Sequence, residues 1–114
     1  MKAKAILLAG TVKNLKVANC EFGWIGGSIQ SEGIFGRNWP TRFGNGVEIY
    51  GGCDGFTVEN CYVHDIYDAG LTQQFGMHSW KGGAPVVQRD VRYSRNVIER
   101  CNYSICWLRF RRRS

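Results

Sequence analysis

An internal repeat of 41 residues is the feature that most constrains what this chain can fold into. Residues 6–22 align with residues 47–63 without a gap, and Asn19 falls on Asn60. A third copy, residues 96–103, follows 40 residues after the second. Self-similarity at a fixed spacing is typical of architectures in which successive units stack on one another. The chain of 114 residues is therefore predicted to form one stacked domain and not two independent ones.

Within each copy, the apolar residues recur at every second position. This alternation is seen in Leu15 with Val17, Val47 with Ile49, and Phe56 with Val58. A spacing of two is typical of β-strands, and no stretch of comparable length has helical spacing. The sequence therefore predicts an all-β chain of short strands, each bounded by glycine or asparagine.

A second recurrence predicts the size of one turn of the stack, here called a rung. Residues 46–49 resemble residues 70–73, which lie 24 positions further on. The 41-residue spacing is then interpreted as two rungs of about 20 residues each, so that about five rungs fit the chain. Equivalent strands of neighbouring rungs would lie parallel, about 4.8 Å apart. A β-sandwich would instead need hairpin turns, and the chain has a single Asn-Gly pair, at Asn45 and Gly46.

Three segments resemble right-handed parallel β-helix proteins of the pectate-lyase-like kind: residues 14–20, 42–52 and 56–74. The resemblance covers about residues 5–108 and is more specific for fold than for reaction. It implies an all-β, right-handed parallel β-helix, a solenoid of about five rungs. In such proteins an asparagine commonly stands where the chain turns after the second strand; Asn19 and Asn60 match that position, and Arg100 interrupts it in the third copy.

The resemblance also implies how the chain is divided. Residues 1–108 would be the β-helix repeats, with longer loops after Gln30 and Gln74, and residues 109–114 would be a basic tail. The N-terminus imitates a secretory signal, but its apolar run is short and aligns with the second repeat, so we interpret it as the first repeat. The apolar run is also too short to span a membrane. Relatives of this kind are extracellular.

Proteins with this resemblance include polysaccharide lyases, glycoside hydrolases and phage tail spikes. The resemblance therefore implies a carbohydrate-active protein or fragment that acts on a polysaccharide, as a glycoside hydrolase or a polysaccharide lyase. The alternative is a non-catalytic module or truncated fragment with a structural or glycan-binding role. Neither end of the sequence shows an obvious polar cap, which favours a fragment or self-association through uncapped ends.

His64, Asp65 and Asp68 form the densest group of titratable residues in the sequence. Positions three apart in an extended chain are about 10 Å apart, and rotation of the side chains brings two carboxyls into the roughly 6.5–9.5 Å range of inverting glycosidases. Glu48, predicted on the outward face of its strand, is the fourth candidate catalytic residue. Each has a structural alternative: Asp68 suits a turn, and Glu48 suits a solvated strand face.

The two predicted loops supply candidate substrate-binding residues. Abstraction of a proton beside a uronate needs a base and a cation that holds the carboxylate, and tryptophan and tyrosine rings suit the faces of sugars. The candidates in these loops are Arg37, Trp39, Arg42 and Trp80, and Tyr50, predicted on the outward strand face near Glu48, is added to them. The alternative is that these loops are surface elaborations whose tryptophans pack on the coil.

The formal charge of +6 is concentrated at one end of the chain. Four of the fifteen basic residues lie in residues 109–113, so residues 1–108 carry eleven basic and nine acidic groups. A nearly neutral body does not predict specific binding of nucleic acid. The tail is either a solvated end or a polyanion-binding segment.

The five cysteines predict neither a metal site nor a cofactor, because no CxxC pair occurs. If Cys20, Cys61 and Cys101 were two rungs apart, they would be separated by about 9.6 Å, too far for a disulfide, and would stay free. If the repeat were a single rung, they would lie within bridging distance, and titration of the thiols would separate the two geometries.

Overall fold

The computed structural model describes residues 3–8, 11–26, 28–30, 41–49, 51–74 and 87–108. Throughout these ranges the chain is all-β, as predicted, and no helix occurs in them. The same ranges consequently offer no helical candidate for a membrane span.

The strands in the described ranges are 3 to 13 residues long, and the two longest pair with a shift of register. In chain order they are β1 (Ala3–Leu8), β2 (Thr11–Ala18), β3 (Glu21–Ile25), β4 (Ser28–Gln30), β5 (Thr41–Ile49), β6 (Gly52–Glu59), β7 (Tyr62–Gln74), β8 (Gln88–Ser94) and β9 (Val97–Leu108). The pairing of β7 with β9 shifts register between Ile66 and Ala69, so each of these two strands contributes two halves to the fold.

Parallel pairing arranges the strands in three stacks. The first stack contains β1, β5 and the C-terminal halves of β7 and β9. The second contains β2, β6 and β8, and the third contains β3 and the N-terminal halves of β7 and β9. The short strand β4 pairs with β5 in the antiparallel sense. The predicted parallel pairing of the first two repeat copies is confirmed, since Leu15 lies opposite Phe56.

The predicted rung length is wrong. Ile6 pairs directly with Val47, so the 41-residue spacing is a single step between neighbouring strands and not two. Val47 in turn pairs directly with Leu71, 24 residues further on. The longer step differs because the chain from the end of β3 at Ile25 to the start of β5 at Thr41 lies within it. The described stacks are three or four strands deep, fewer than the predicted five rungs.

The third repeat copy also has a different register from the predicted one. Phe56 lies opposite Val91, an offset of 35 residues and not 40. Cys61 therefore faces Asn96, whose Oδ1 accepts a hydrogen bond of 2.9 Å from the Cys61 N–H. Cys101, which the sequence aligns with Cys61, lies opposite Ile66. Short apolar segments match in more than one register, which is why the sequence gives a false alignment here.

Nine described residues adopt a left-handed backbone conformation, and they recur in the same places of successive strands. Residues that follow one another across the strands of a stack are called a column here. The three left-handed columns are Asn14, Gly55 and Asp90; Asn19, Asn60 and Arg95; and Trp24, Asp65 and Arg100. The asparagine column predicted from the resemblance is thus continued by Arg95, and Arg100 belongs to another column.

The left-handed residues determine which positions of the chain point into the core. A residue in this conformation interrupts the strand and shifts the alternation of side chains by one position. The strand β6 and the N-terminal half of β7 are called the middle layer here. Their inward positions therefore follow one another at spacings of two or three: Cys53, Phe56, Val58, Cys61, Val63 and Ile66, all buried. Val47, Ile49 and Leu71 of the first stack complete this hydrophobic core.

Candidate functional site

The third stack carries a cluster of charged and aromatic side chains on the surface opposite the core. Register places Gly23 of β3, His64 of β7 and Glu99 of β9 in one column. Val63, which directly precedes His64 on β7, belongs to the core. Because side chains of a strand alternate between its faces, His64 lies on the other face.

His64 is held between two carboxylates. Its Nδ1 lies 2.6 Å from Asp65 Oδ2, and its Nε2 lies 2.8 Å from Glu21 Oε1. A neutral imidazole has one N–H donor, whereas the imidazolium has two. The hydrogen bond with Asp65 raises the pKa of His64 most, and the hydrogen bond with Glu21 raises it further. This geometry favours the protonated ring.

Asp65 is in turn paired with Arg100 from the neighbouring strand. Arg100 Nε donates to Asp65 Oδ1 at 2.8 Å, and Arg100 Nη2 donates to Asp65 Oδ2 at 2.9 Å. This two-point pairing, followed by the hydrogen bond with His64, lowers the pKa of Asp65 to about 2. The same pairing raises the pKa of Arg100. Asp65 is therefore a fixed carboxylate at neutral pH.

Tyr62 and Glu99 close the cluster on its other side. The Tyr62 hydroxyl donates to Glu99 Oε2 at 2.9 Å, and Arg100 Nη1 donates to the same oxygen at 3.0 Å. The Tyr62 ring stacks on the His64 ring, with centroids 4.5 Å apart. The aromatic ring thus covers the imidazole while its hydroxyl joins the polar network.

Trp24 stands at the exposed edge of the cluster. Its ring meets the His64 ring edge to face, with centroids 5.8 Å apart, and the residue remains 80% exposed. Its φ of 57° lies in the left-handed region, which is unusual for a bulky residue. Such backbone strain costs about 1–3 kcal/mol and occurs often at functional positions. Asp65 and Arg100 share this conformation in the same column, so the fold accounts for the backbone of Trp24 but not for a large apolar ring that stays exposed.

No protein-family model, curated protein or solved structure matches this chain. In the part of the chain that the structure describes, no group of three or more histidine, cysteine, aspartate or glutamate side chains is arranged to hold a metal ion.

Two of the predicted catalytic residues, His64 and Asp65, lie together in this cluster. Asp68 lies further along β7, half-buried, within the irregularity between Ile66 and Ala69. Such an irregularity, where one strand has an extra residue, is a common place for a bend. The roles predicted for Asp68, in catalysis or in a turn, stay predictions.

The sequence predicts that Glu48 lies on an outward strand face. In the structure Glu48 is fully buried. It faces Thr72, which is also buried, and Asn45 Nδ2 donates to Glu48 Oε2 at 3.2 Å. The alternation correctly separates Glu48 from Val47 and Ile49, but both faces of this strand are covered. A polymeric substrate has no direct access to the Glu48 carboxylate in this conformation.

The predicted substrate-binding residues fall where the structure gives no side-chain detail. Arg37, Trp39, Tyr50 and Trp80 lie outside the described residues. Arg42 lies in β5, where its backbone pairs with Ile29, and its side chain is outside the described part.

Sequence reasoning missed five members of the cluster: Glu21, Trp24, Tyr62, Glu99 and Arg100. Trp24, Asp65 and Arg100 share a column, at offsets of 41 and 35 residues. Applying the 41-residue offset from His64 and Asp65 back to the first repeat would have reached Gly23 and Trp24. Arg100 needs the 35-residue offset, which the false third alignment concealed.

The five cysteines are free in the structure, although the predicted reason for this is wrong. Cys20, between β2 and β3, and Cys61, between β6 and β7, lie in adjacent turns, where the Tyr62 N–H donates to the Cys20 carbonyl at 2.9 Å. Each thiol instead donates to the carbonyl two residues earlier, at 3.2 Å for Cys20 and 3.3 Å for Cys61. Stacked thiols in the same orientation stay unbridged even at the spacing of one strand.

We expect His64 to titrate above its ordinary pKa of 6.5. Because Asp65 contributes more than Glu21 to the raised pKa, Asp65→Asn should lower it more than Glu21→Gln does. The measurement is an NMR titration of the ring protons, with His64→Ala used to assign one of the two histidine signals. Equal effects of the two variants would contradict the assignment of Asp65 as the main partner.

The two shifted groups also define a window of pH in which the cluster stabilises the fold. Since the pKa of His64 is raised, its contribution is fully present below about 6.5 and is lost as the pH rises through the folded-state pKa. Since the pKa of Asp65 is lowered from 3.8 to about 2, its contribution is present above 3.8 and is lost as the pH falls through about 2. Both contributions are complete between these limits.

Proposed function

We propose that the chain is a right-handed parallel β-helix whose third stack binds a glycan. The parallel stacks and the three left-handed columns support the solenoid, because a coil that turns at the same place in every rung repeats its corner conformation. The resemblance noted in the sequence points the same way, and an extracellular location belongs to the same proposal.

The exposed ring of Trp24 is the observation that carries the proposal. Sugars present apolar C–H faces that stack on aromatic rings, and they surround those faces with hydroxyls that need hydrogen-bonding partners. The His64 ring that Trp24 contacts is bonded to Glu21, whose side chain is 66% exposed, and is stacked on Tyr62, whose hydroxyl donates to Glu99. An aromatic platform flanked by fixed acceptors is a suitable surface for a sugar ring.

The contacts of the cluster favour binding over catalysis. Both oxygens of Asp65 accept hydrogen bonds from Arg100, and both nitrogens of His64 face carboxylates. A general base needs a free lone pair within reach of the substrate proton and a pKa near the working pH. Neither nitrogen of His64 is free, and a pKa lowered to about 2 by Arg100 and His64 makes Asp65 a weak base. The non-catalytic alternative, a glycan-binding module, is therefore the function that we propose.

Replacing Trp24 with alanine tests the proposal. Truncation of a tryptophan at the centre of a binding site costs about 2 kcal/mol or more, which corresponds to a roughly 30-fold weaker affinity. Trp107→Ala is the matched control, because Trp107 is 56% exposed but lies in the first stack, opposite Gln73. Affinity electrophoresis against a polysaccharide panel, followed by calorimetry on the polymers that bind, measures both variants.

Loss of binding in Trp24→Ala alone is the expected result. Equal binding by the wild type and by both variants, or no binding to any polymer, would contradict the proposed site. Release of reducing sugar or of unsaturated uronide by the wild type would instead show an enzyme, the function implied by the resemblance. In that case Asp65→Asn and Asp68→Asn should abolish turnover.

A further inference from the structure

The cationic groups of the cluster are already engaged by the protein's own side chains. Each guanidinium nitrogen of Arg100 donates a hydrogen bond: Nε to Asp65, Nη1 to Glu99, and Nη2 to Asp65 and, at 3.4 Å, to the Tyr62 hydroxyl. Both ring nitrogens of His64 are similarly engaged. Recognition of a sugar carboxylate usually depends on a free guanidinium fork or ammonium group. This cluster offers no unengaged cationic fork among its described side chains.

The exposed rim of the cluster carries two carboxylates and the Arg100 side chain, which is 58% exposed but donates hydrogen bonds to acceptors of the cluster itself. The side chain of Glu21 is 66% exposed and that of Glu99 is 47% exposed. Ionised carboxylates only accept hydrogen bonds, whereas sugar hydroxyls can donate them. The Glu21 carboxylate, which shares His64 as a neighbour with Trp24, is therefore matched to hydroxyl groups and not to a second carboxylate.

The net charge of the cluster acts in the same direction. Glu21, Asp65 and Glu99 carry negative charge, and His64 and Arg100 carry positive charge, so one negative charge is left when the imidazole is protonated. Loss of the imidazole proton would leave two. A uronate bound on the Trp24 ring would meet like charge at short range, where salt screens poorly.

We infer that the glycan bound beside Trp24 is neutral and that the cluster selects against uronate polymers. This inference rests on the proposed glycan-binding function and adds the class of ligand. The formal charge of +6 attracts acidic polymers at long range, but that attraction is not specific to the cluster and falls with salt. Selectivity must therefore be measured at about 0.15 M salt, where the screening length is about 8 Å, and as the part of binding that depends on Trp24.

Matched pairs of polymers with one backbone test the inference. Methyl-esterified homogalacturonan is compared with the de-esterified polymer, and hydroxyethyl cellulose is compared with carboxymethyl cellulose. We expect at least one neutral member to bind about tenfold or more tightly than its acidic counterpart, a difference of roughly 1.4 kcal/mol. We also expect Trp24→Ala to remove that difference and Trp107→Ala to keep it.

A charge variant sharpens the test. Glu21→Gln keeps an oxygen that accepts from His64 Nε2 but removes the excess negative charge, so it should raise affinity for the acidic member severalfold. Asp54→Asn is the control, because Asp54 is an exposed carboxylate of the second stack, opposite Lys13 and Arg89. It should leave the Trp24-dependent selectivity unchanged.

The outcomes separate the two proposals. Trp24-dependent binding in which the acidic member is bound as tightly or more tightly overturns the neutral-glycan inference and leaves the proposed glycan-binding function standing. The absence of Trp24-dependent binding to any polymer of the panel overturns the proposed function and this inference together. A Glu21→Gln variant whose selectivity equals that of the wild type would also overturn the charge argument.

Discussion

Replacing Phe56 with alanine is expected to lower the free energy of unfolding by about 3–5 kcal/mol. Phe56 is fully buried in the middle of its column, between Leu15 of β2 and Val91 of β8. The smaller side chain would leave a cavity in the core. Because strand pairing fixes the backbones of β2 and β8 on either side, little of that cavity can close. Urea denaturation followed by tryptophan fluorescence measures the loss.

Leu15→Ala provides the matched control, because Leu15 occupies the same column on the edge strand β2 and is only half-buried. Its replacement should cost clearly less, about 1–2 kcal/mol, because less apolar surface is removed from contact. A similar loss for the two variants, or a larger loss for Leu15→Ala, would mean that the middle layer is not the centre of the core.

The parallel pairing could be predicted from the sequence because the pairing partners resemble each other. Leu15 and Val17 recur as Phe56 and Val58, and like side chains stack in a common interior. Register in such an arrangement is determined by which face is apolar, and the alternation makes this visible in one dimension.

The length of one rung could not be predicted from the same alignment. The gap-free match ends at Phe22, so the residues inserted between β3 and β5 lie outside it and do not disturb it. The 24-residue recurrence at Gly46 and Gly70 does correspond to one step between paired strands, since Val47 pairs with Leu71. It was a weaker signal because it compares only four residues.

The cluster shows the same limit at the level of side chains. His64 and Asp65 were found because they are neighbours in sequence. Glu21 and Arg100 lie 43 and 36 residues away from His64 and come together only through strand register. Glu48 illustrates the opposite case, since alternation predicts which face of a strand a residue occupies but not what covers that face.

Gly23→Ala is expected to disrupt the cluster although it replaces none of the hydrogen-bonding side chains. A Cβ atom at Gly23 would lie 2.3 Å from Cε1 of His64 and within 2.9 Å of both ring nitrogens, which real contacts do not allow. The imidazole must therefore move away from Glu21, Asp65 or both. The pKa of His64 should fall towards its ordinary value, and the Trp24-dependent glycan affinity should fall about tenfold or more because Glu21 loses its anchor.

A double-mutant cycle with His64→Ala separates this clash from any effect of alanine on the backbone. Gly23 is not among the residues with a left-handed backbone, so alanine fits its conformation. In the wild-type background the substitution should destabilise the fold by about 1–3 kcal/mol through overpacking. In the His64→Ala background it should be neutral or stabilising by about 0.5 kcal/mol, because alanine restricts the unfolded chain more than glycine does. An equal loss of unfolding free energy in the two backgrounds would show that the space at Gly23 is not needed to accommodate the imidazole. The position of His64 would then be determined by its two carboxylate partners alone.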